Sequence, residues 1–213
     1  AKIIFLSENA DLLITGTGQI EADGTPQNKI LITADDDNDG NYGETGERWG
    51  HISFQSMGSA GASLIDNCIL EFGDVSSISL LPANPGQYGG AIHTDFSNLT
   101  ISNCEVRNNK AGWGGGIFVG DGKNPTISNC YFHNNEASTS GGGIYFWKNS
   151  FPVLSNSIIT TNICSGEGGG GGIFIGGAAK GVKVINCLIS NNSAKTQSQG
   201  HNIKIFNNTA TPK

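Results

Sequence analysis

The chain has 213 residues, a formal net charge of −6, 14% charged residues and 32 glycines. Its glycine content is about twice the roughly 7% of ordinary proteins, and runs of strong helix formers are few, which argues against long helices. An acidic chain without a basic stripe is not expected to bind nucleic acid, and no run of about eighteen apolar residues is present to span a membrane.

Short apolar stretches open the chain at residues 3–6, 12–14, 20–22 and 30–33. Their length and their flanking turn residues predict short strands. The step Trp-Gly-His-Ile-Ser-Phe at residues 49–54 is a divergent copy of a glycine-isoleucine step that recurs later in the chain. The first quarter of the sequence therefore already follows the pattern of the rest.

An acidic insertion at residues 35–47 interrupts these strands. Asp35, Asp37 and Asp39, followed by Gly40, match the start of a calcium-binding loop. The twelfth position, where such a loop places a bidentate Glu, holds Gly46, so the segment is not an EF-hand. The alternative is a solvated acidic loop, although close carboxylates repel one another without a cation. The predicted Ca²⁺ ligands are Asp35, Asp37, Asp39, Asn41 and Glu44.

Two markers repeat with one period. A glycine-rich step ends in isoleucine at residues 92, 117, 144, 173 and 203, at spacings of 25–30 residues. Asn-Cys stands at 67–68, 103–104, 129–130 and 186–187, with Asn-Ser at 156–157. Two short alternating strands per repeat, pairing with their own copies, predict an all-β, right-handed parallel β-helix. We expect about seven rungs in a single domain covering residues 1–213, about 35 Å long at ~4.8 Å per rung.

The repeated Asn and Cys residues are predicted to be structural. Asn tolerates the left-handed backbone region at a bend, and its amide can bond to the equivalent Asn on the next rung. Cys164, in a glycine-rich turn, is expected to be an unpaired thiol. The cysteines that share one place in the repeat are expected to form an internal ladder of buried thiols: Cys68, Cys104, Cys130 and Cys187.

The residue after each inward isoleucine is predicted to face outward, because side chains alternate along a strand. A row of exposed aromatic rings would suit the flat face of a sugar or a partner protein. The alternative is that loops or a neighbouring domain cover this face. The predicted ligand-binding residues are His93, Phe118, Tyr145, Trp147 and Phe174.

A second outward face carries charged groups. Glu71, Glu105, Arg107, Tyr131 and His133 are expected at outward positions on neighbouring rungs. Arg107, His133 and Glu105 are weak candidates for catalytic groups, because acid–base chemistry needs side chains that converge within hydrogen-bond reach. The alternative is a solvated strand face.

The repeat resembles that of polymorphic outer-membrane proteins and related bacterial surface β-helices. Residues 132–135 match their Phe-x-x-Asn step literally, while 106–109, 159–162 and 189–192 match it with an aliphatic first residue. The opening half, with its acidic loop before Trp-Gly-x-Ile, resembles the start of pectate-lyase-like domains in large secreted bacterial proteins. These resemblances imply a fold that hosts adhesins, polysaccharide lyases, hydrolases and passive stalks.

We therefore expect a fragment of a secreted or bacterial cell-surface protein whose rod presents an aromatic face to a glycan or a surface protein. One alternative is a calcium-dependent polysaccharide lyase or glycoside hydrolase, and a second is a passive structural spacer. Unpaired strand edges at the two ends of the rod would allow end-to-end self-association.

Overall fold

The computed structural model describes residues 1–7, 10–35, 39–42, 46–58, 61–76, 87–96, 98–177 and 181–206. These ranges contain no α-helix, and Gln197–Gln199 form a 3-10 turn. No helix among them is long and apolar enough to cross a membrane. In chain order the strands are β1 (Lys2–Phe5), β2 (Leu12–Gly16), β3 (Glu21–Asp23), β4 (Ile30–Ala34), β5 (Ile52–Met57), β6 (Ser63–Asp66), β7 (Cys68–Glu71), β8 (Ile92–Thr94), β9 (Leu99–Ser102), β10 (Glu105–Arg107), β11 (Lys110–Trp113), β12 (Ile117–Val119), β13 (Thr126–Ser128), β14 (Tyr131–His133), β15 (Glu136–Ser140), β16 (Ile144–Phe146), β17 (Val153–Ser155), β18 (Ile158–Thr160), β19 (Ile163–Cys164), β20 (Ile173–Ile175), β21 (Lys183–Ile185), β22 (Leu188–Ser190), β23 (Ser193–Ala194) and β24 (Ile203–Ile205).

The described strands form four sheets, and all pairings between these strands are parallel. Sheet A is β1-β4-β7-β10-β14-β18-β22, and sheet B is β2-β5-β8-β12-β16-β20-β24. Sheet C is β3-β6-β9-β13-β17-β21, and the short sheet D is β11-β15-β19-β23. The chain visits sheets C, A, D and B in turn and then begins the next rung. The seven strands of sheets A and B confirm the all-β parallel β-helix of about seven rungs.

One detail of the predicted rung is wrong. The repeat predicts two strands per rung, whereas the structure divides residues 126–133 alone into β13 in sheet C and β14 in sheet A. The division falls at Asn129, whose φ of 54° turns the backbone through the left-handed region. Each rung therefore has three main strands instead of two, and sheet D adds a fourth short one where the chain turns from sheet A toward sheet B.

The inward side chains of sheets A, B and C meet in one continuous core. Equivalent residues stack on each other from rung to rung, because the strands pair in register: Ile92, Ile117, Ile144 and Ile173 form one such column in sheet B. All four are fully buried. Near the corner that precedes sheet B, a Cβ on Gly142 would lie 2.3 Å from the carbonyl oxygen of Gly171, so only glycine lets the rungs approach there.

A ladder of buried amides runs through the turn between sheets A and D. Asn135 accepts bonds from the backbone N–H of Asn109 (3.2 Å) and from its Nδ2 (3.0 Å) at the same oxygen. Its own Nδ2 donates to Val106 O and to Asn162 Oδ1, both at 2.9 Å. Asn162 repeats the pattern with Asn192. The predicted Asn–Asn stacking is confirmed here, and each bond between two asparagine side chains is donated toward the C-terminal end of the rod.

The thiol ladder is also confirmed. Cys68, Cys104 and Cys130 are buried and unpaired as disulfides, while Cys187 is half-buried. Each Sγ donates to the carbonyl two residues earlier, and the Ser157 hydroxyl makes the same bond, at 2.7 Å, where serine replaces cysteine. Cys164 is a free thiol, as expected, but lies buried at the end of β19 instead of in a turn, and burial raises its pKa.

Candidate functional site

The predicted aromatic column exists on the outer face of sheet B. His93, Phe118, Tyr145 and Phe174 occupy one register position on successive strands. The ring centroids of Phe118 and Tyr145 are 5.2 Å apart, and those of Tyr145 and Phe174 are 4.8 Å apart, both with stacked planes. Strand pairing in register therefore produces a continuous aromatic stack outside the main core.

The expectation that these rings are exposed is wrong. Phe118, Tyr145 and Phe174 are only 5%, 3% and 6% exposed, and His93 is 2% exposed. The rings cover one another, and Tyr88 and Trp113 pack against the stack from the side. The stack is thus a small second core. Its N-terminal half is covered by other side chains, as in the alternative given above.

The C-terminal half of the stack opens into a groove of about 520 Å³. Tyr145 and Phe174 lie beneath it, and Trp147 and Phe206 line it with exposed fractions of 37% and 51%. This volume lies in the range of about 300–1,000 Å³ that is typical of small-molecule sites. This part of the aromatic face is therefore open to a ligand.

A missing side chain makes the groove. Trp147, Gly176 and Phe206 occupy equivalent places, because the backbone N–H of each donates to the carbonyl that ends the sheet B strand of the rung before, at 2.9, 2.9 and 2.8 Å. A Cβ on Gly176 would lie 2.9 Å from both Phe174 Cε1 and the Tyr145 hydroxyl. Trp147 and Phe206 therefore stand two rungs apart, about 9.6 Å at ordinary strand spacing, with no side chain at the equivalent place on the rung between them, where Tyr145 and Phe174 come close to the backbone.

Two polar features complete the groove. Among the described residues no hydrogen bond reaches the Tyr145 hydroxyl, and burial raises the Tyr145 pKa, so the group stays protonated and able to donate. Lys148 and Lys204 line the groove beside Glu167. The Glu167 carboxylate bonds to Lys195 and Gln199, and the pKa of Glu167 is lowered chiefly by Lys195. The groove thus combines aromatic surface, one free hydroxyl and ammonium groups.

Of the five predicted ligand-binding residues, the groove includes Tyr145, Trp147 and Phe174. His93 and Phe118 lie under the covered part of the stack. Sequence reasoning missed Gly176 and Phe206, although the period of 29–30 residues from Trp147 marks both of them. The last copy of the repeat departs most from the common pattern, so the equivalence of Phe206 to Trp147 is hard to recognise from the sequence.

The predicted charged residues on sheet A do converge. Arg107 donates from Nε to Glu71 Oε2 at 2.7 Å and from an Nη to Glu105 Oε1 at 2.8 Å. His133 Nε2 lies 3.0 Å from the same Glu105 oxygen, and its ring stacks on Tyr131 with centroids 4.1 Å apart. Glu71, Arg107 and His133 share one register position on β7, β10 and β14.

The electrostatics of this network suit a structural cross-rung link better than base catalysis. Burial would lower the Arg107 pKa, but Glu71 and Glu105 outweigh it and raise that pKa, so the guanidinium is a poor proton acceptor. Partial burial opposes the charge of Glu105, yet His133 and Arg107 hold its pKa below the usual range. These charges neutralise one another. A catalytic role for Arg107, His133 and Glu105 remains an untested prediction.

A third arrangement, which the sequence did not suggest, joins Ser53, His93 and Asp95. The Ser53 hydroxyl lies 3.2 Å from His93 Nδ1, and His93 Nε2 lies 3.6 Å from Asp95 Oδ2. These groups occur together in serine hydrolases, where the hydroxyl must be accessible to substrate. Here Ser53 is 1% exposed, and Gln55 donates to its hydroxyl at 2.7 Å. The hydroxyl is therefore an internal hydrogen-bonding group.

The acidic insertion is described only in part, because Asp37 and Glu44 lie outside the described residues. Asp35 is 3% exposed and accepts backbone N–H bonds from Asp39 (3.1 Å) and Gly40 (3.2 Å). Asp39 in turn accepts from Asn41 through N (2.8 Å) and Nδ2 (2.9 Å). No three acidic, His or Cys groups among the described residues are placed to hold a metal. Oxygen donors of this kind fit Ca²⁺, but N–H groups already satisfy Asp35, so its burial requires no cation.

No curated protein and no solved structure matches the chain. A family model described as the right-handed β-helix region matches residues 47–211. That match covers more than half of the chain and agrees with the stacked parallel sheets. The chain belongs to the right-handed β-helix family.

Proposed function

We propose that this protein is a binding rod that holds a carbohydrate chain in the groove between Trp147 and Phe206. The groove itself carries the proposal: two exposed rings stand two rungs apart, with a glycine at the equivalent place between them. The apolar faces of sugar rings stack on aromatic side chains, while their hydroxyls need hydrogen-bond partners. The Tyr145 hydroxyl, which has no partner in the described chain, supplies one such contact.

The setting of the groove supports binding without turnover. Among the described residues, the one carboxylate that lines the groove is Glu167, which is already bonded to Lys195 and Gln199. A glycoside hydrolase needs a pair of carboxyl groups flanking the scissile bond. The Arg107 network lies on sheet A, whereas the groove lies on sheet B. A rod with such a groove suits adhesion by a secreted or bacterial surface protein, the localisation that we expect from the sequence.

A glycan array tests the proposal, with sugar-end release assayed in the same wells. Trp147→Ala is expected to weaken binding about tenfold, and Gly176→Leu to abolish it by filling the groove. Tyr131→Ala is the matched control, since Tyr131 is 40% exposed but lies on sheet A.

The outcomes separate the three functions. Binding that is lost with Gly176→Leu and kept with Tyr131→Ala supports the groove. Release of unsaturated or reducing ends would overturn the proposal in favour of a polysaccharide-active enzyme. A folded protein that binds no glycan on the array would leave the passive spacer as the better account.

A further inference from the structure

The C-terminal rung of the described chain leaves core side chains uncovered. Its strands β21, β22 and β24 are the last in sheets C, A and B, so no described strand lies beyond them. The inward side chains of Val184, Ile203 and Ile205 are 36%, 39% and 67% exposed. One rung earlier in the same columns, Leu154 and Ile173 are fully buried. This end of the rod therefore presents both apolar surface and unpaired strand edges, which are the features of a docking surface.

The two ends of the rod carry opposite charge. Residues 1–47, which include β1 to β4, hold ten acidic residues and two lysines, so their formal net charge is −8. Residues 168–213 hold five lysines and no acidic residue, so their formal net charge is +5. The N-terminal end of one copy therefore attracts the C-terminal end of another, whereas two like ends repel each other.

The strand register makes these two ends complementary in detail. In sheet C, the column that begins at Glu21 on β3 ends at Lys183 on β21. A second copy that continued the sheet would place its Glu21 beside Lys183 at the ordinary strand spacing of ~4.8 Å. The same step would bring apolar side chains together at four inward positions: Val184 with Ala22, Ile189 with Ile3, Ile203 with Leu12 and Ile205 with Ile14.

We propose that copies of this chain stack head to tail, with the N-terminal rung of one copy on the C-terminal rung of the next. Each added copy extends sheets A, B and C in parallel, covers the exposed end of the core and pairs Glu21 with Lys183. The two joined surfaces differ, so the contact is heterologous and the assembly grows as an open filament. This inference goes beyond glycan binding and does not depend on it.

Sedimentation velocity of the 213-residue protein over a wide concentration range tests this arrangement. We expect species larger than a dimer that grow with concentration. Lys183→Glu and Glu21→Lys each place like charges at the contact, and each should weaken association about fivefold at low salt. The chain with both changes restores an opposite pair and should associate like the parent. Thr126→Glu is the matched control, because Thr126 is exposed at the same register position inside the rod, and it should leave association unchanged.

A second variant tests the apolar part of the contact. Ile205→Asp puts a charge on the exposed end of the core, at a residue whose exposure of 67% makes the change compatible with folding, and it should prevent filament growth. A parent protein that stays monomeric at every concentration would overturn the proposal. A discrete dimer that does not grow would also overturn it, because such a dimer has an isologous contact. Growth that is equal in the parent and in all these variants would place the contact on another surface and refute the stacking.

Discussion

Removing the Asn135 side chain should destabilise the rod strongly, because this amide connects three rungs. It is fully buried and takes part in four hydrogen bonds: two accepted from Asn109, one donated to Val106 and one donated to Asn162. At a net contribution of about 1 kcal/mol for each bond, Asn135→Ala should lower the free energy of unfolding by about 4 kcal/mol. The loss should spread to the neighbouring rungs, since each rung is stabilised by its neighbours.

Equilibrium unfolding in urea, followed by circular dichroism, measures this loss. Asn134→Gly is the matched control: Asn134 adopts a φ of 55°, which glycine tolerates, and its exposed Nδ2 lies near only His133 Nδ1. We expect that variant to change the free energy of unfolding by less than about 1 kcal/mol. A loss below about 1 kcal/mol for Asn135→Ala would refute the argument that the amide ladder stabilises the stack.

Three smaller tests concern a bend, a buried histidine and the acidic insertion. Thr161 occupies the place of the bend asparagines and adopts a φ of 54°, a left-handed conformation that strains threonine more than asparagine. Thr161→Asn should therefore raise Tm by about 3 °C in calorimetry, and an unchanged Tm would contradict this strain. Burial, only partly offset by Asp11, lowers the pKa of His51 from 6.5. Below pH 6.5, unfolding therefore lets His51 take up a proton that it does not bind in the folded protein. Between pH 6.5 and pH 5, Tm should fall more steeply in the parent protein than in His51→Gln. Parallel Tm curves for the two proteins would exclude this linkage. If the acidic insertion binds Ca²⁺, the Tm of the parent protein should be higher in calcium than in chelator, and the variant with both Asp37→Ala and Asp39→Ala should show no such difference. An equal Tm of the parent in calcium and in chelator would contradict a calcium site in the insertion.

The architecture was predictable because the repeat records it directly. The isoleucines of sheet B and the Asn-Cys pairs occur once per rung, so their common period gives the stacking and its register. The division of the second strand was harder to foresee. Asn129 was known to favour a bend, but only the structure shows that its bend is sharp enough to end one sheet and begin another.

The groove was predictable only in part, for a physical reason. Strand alternation gives the direction of Phe118 and Tyr145, but not what lies above them. Rings at strand spacing stack face to face and bury one another, and Tyr88, which precedes the strand of His93, stacks on Phe118 and helps to cover it. Whether a ring in the stack is exposed therefore depends on contacts from neighbouring side chains, which the local sequence pattern does not show. The missing side chain at Gly176, by contrast, is visible once Trp147, Gly176 and Phe206 are compared as equivalent positions.

The one-way amide ladder has a consequence for how such a chain can change in length. Asn109, Asn135, Asn162 and Asn192 each donate to the next asparagine and to a carbonyl of the preceding rung, so every internal rung offers its neighbours the same two surfaces. Duplication of one unit, such as the 27 residues from one isoleucine at 117 to the next at 144, would insert a compatible rung without altering those on either side. Gene duplication could in this way set the distance between the groove and the far end of the rod in steps of about 4.8 Å, and the ligand site could move outward without being rebuilt.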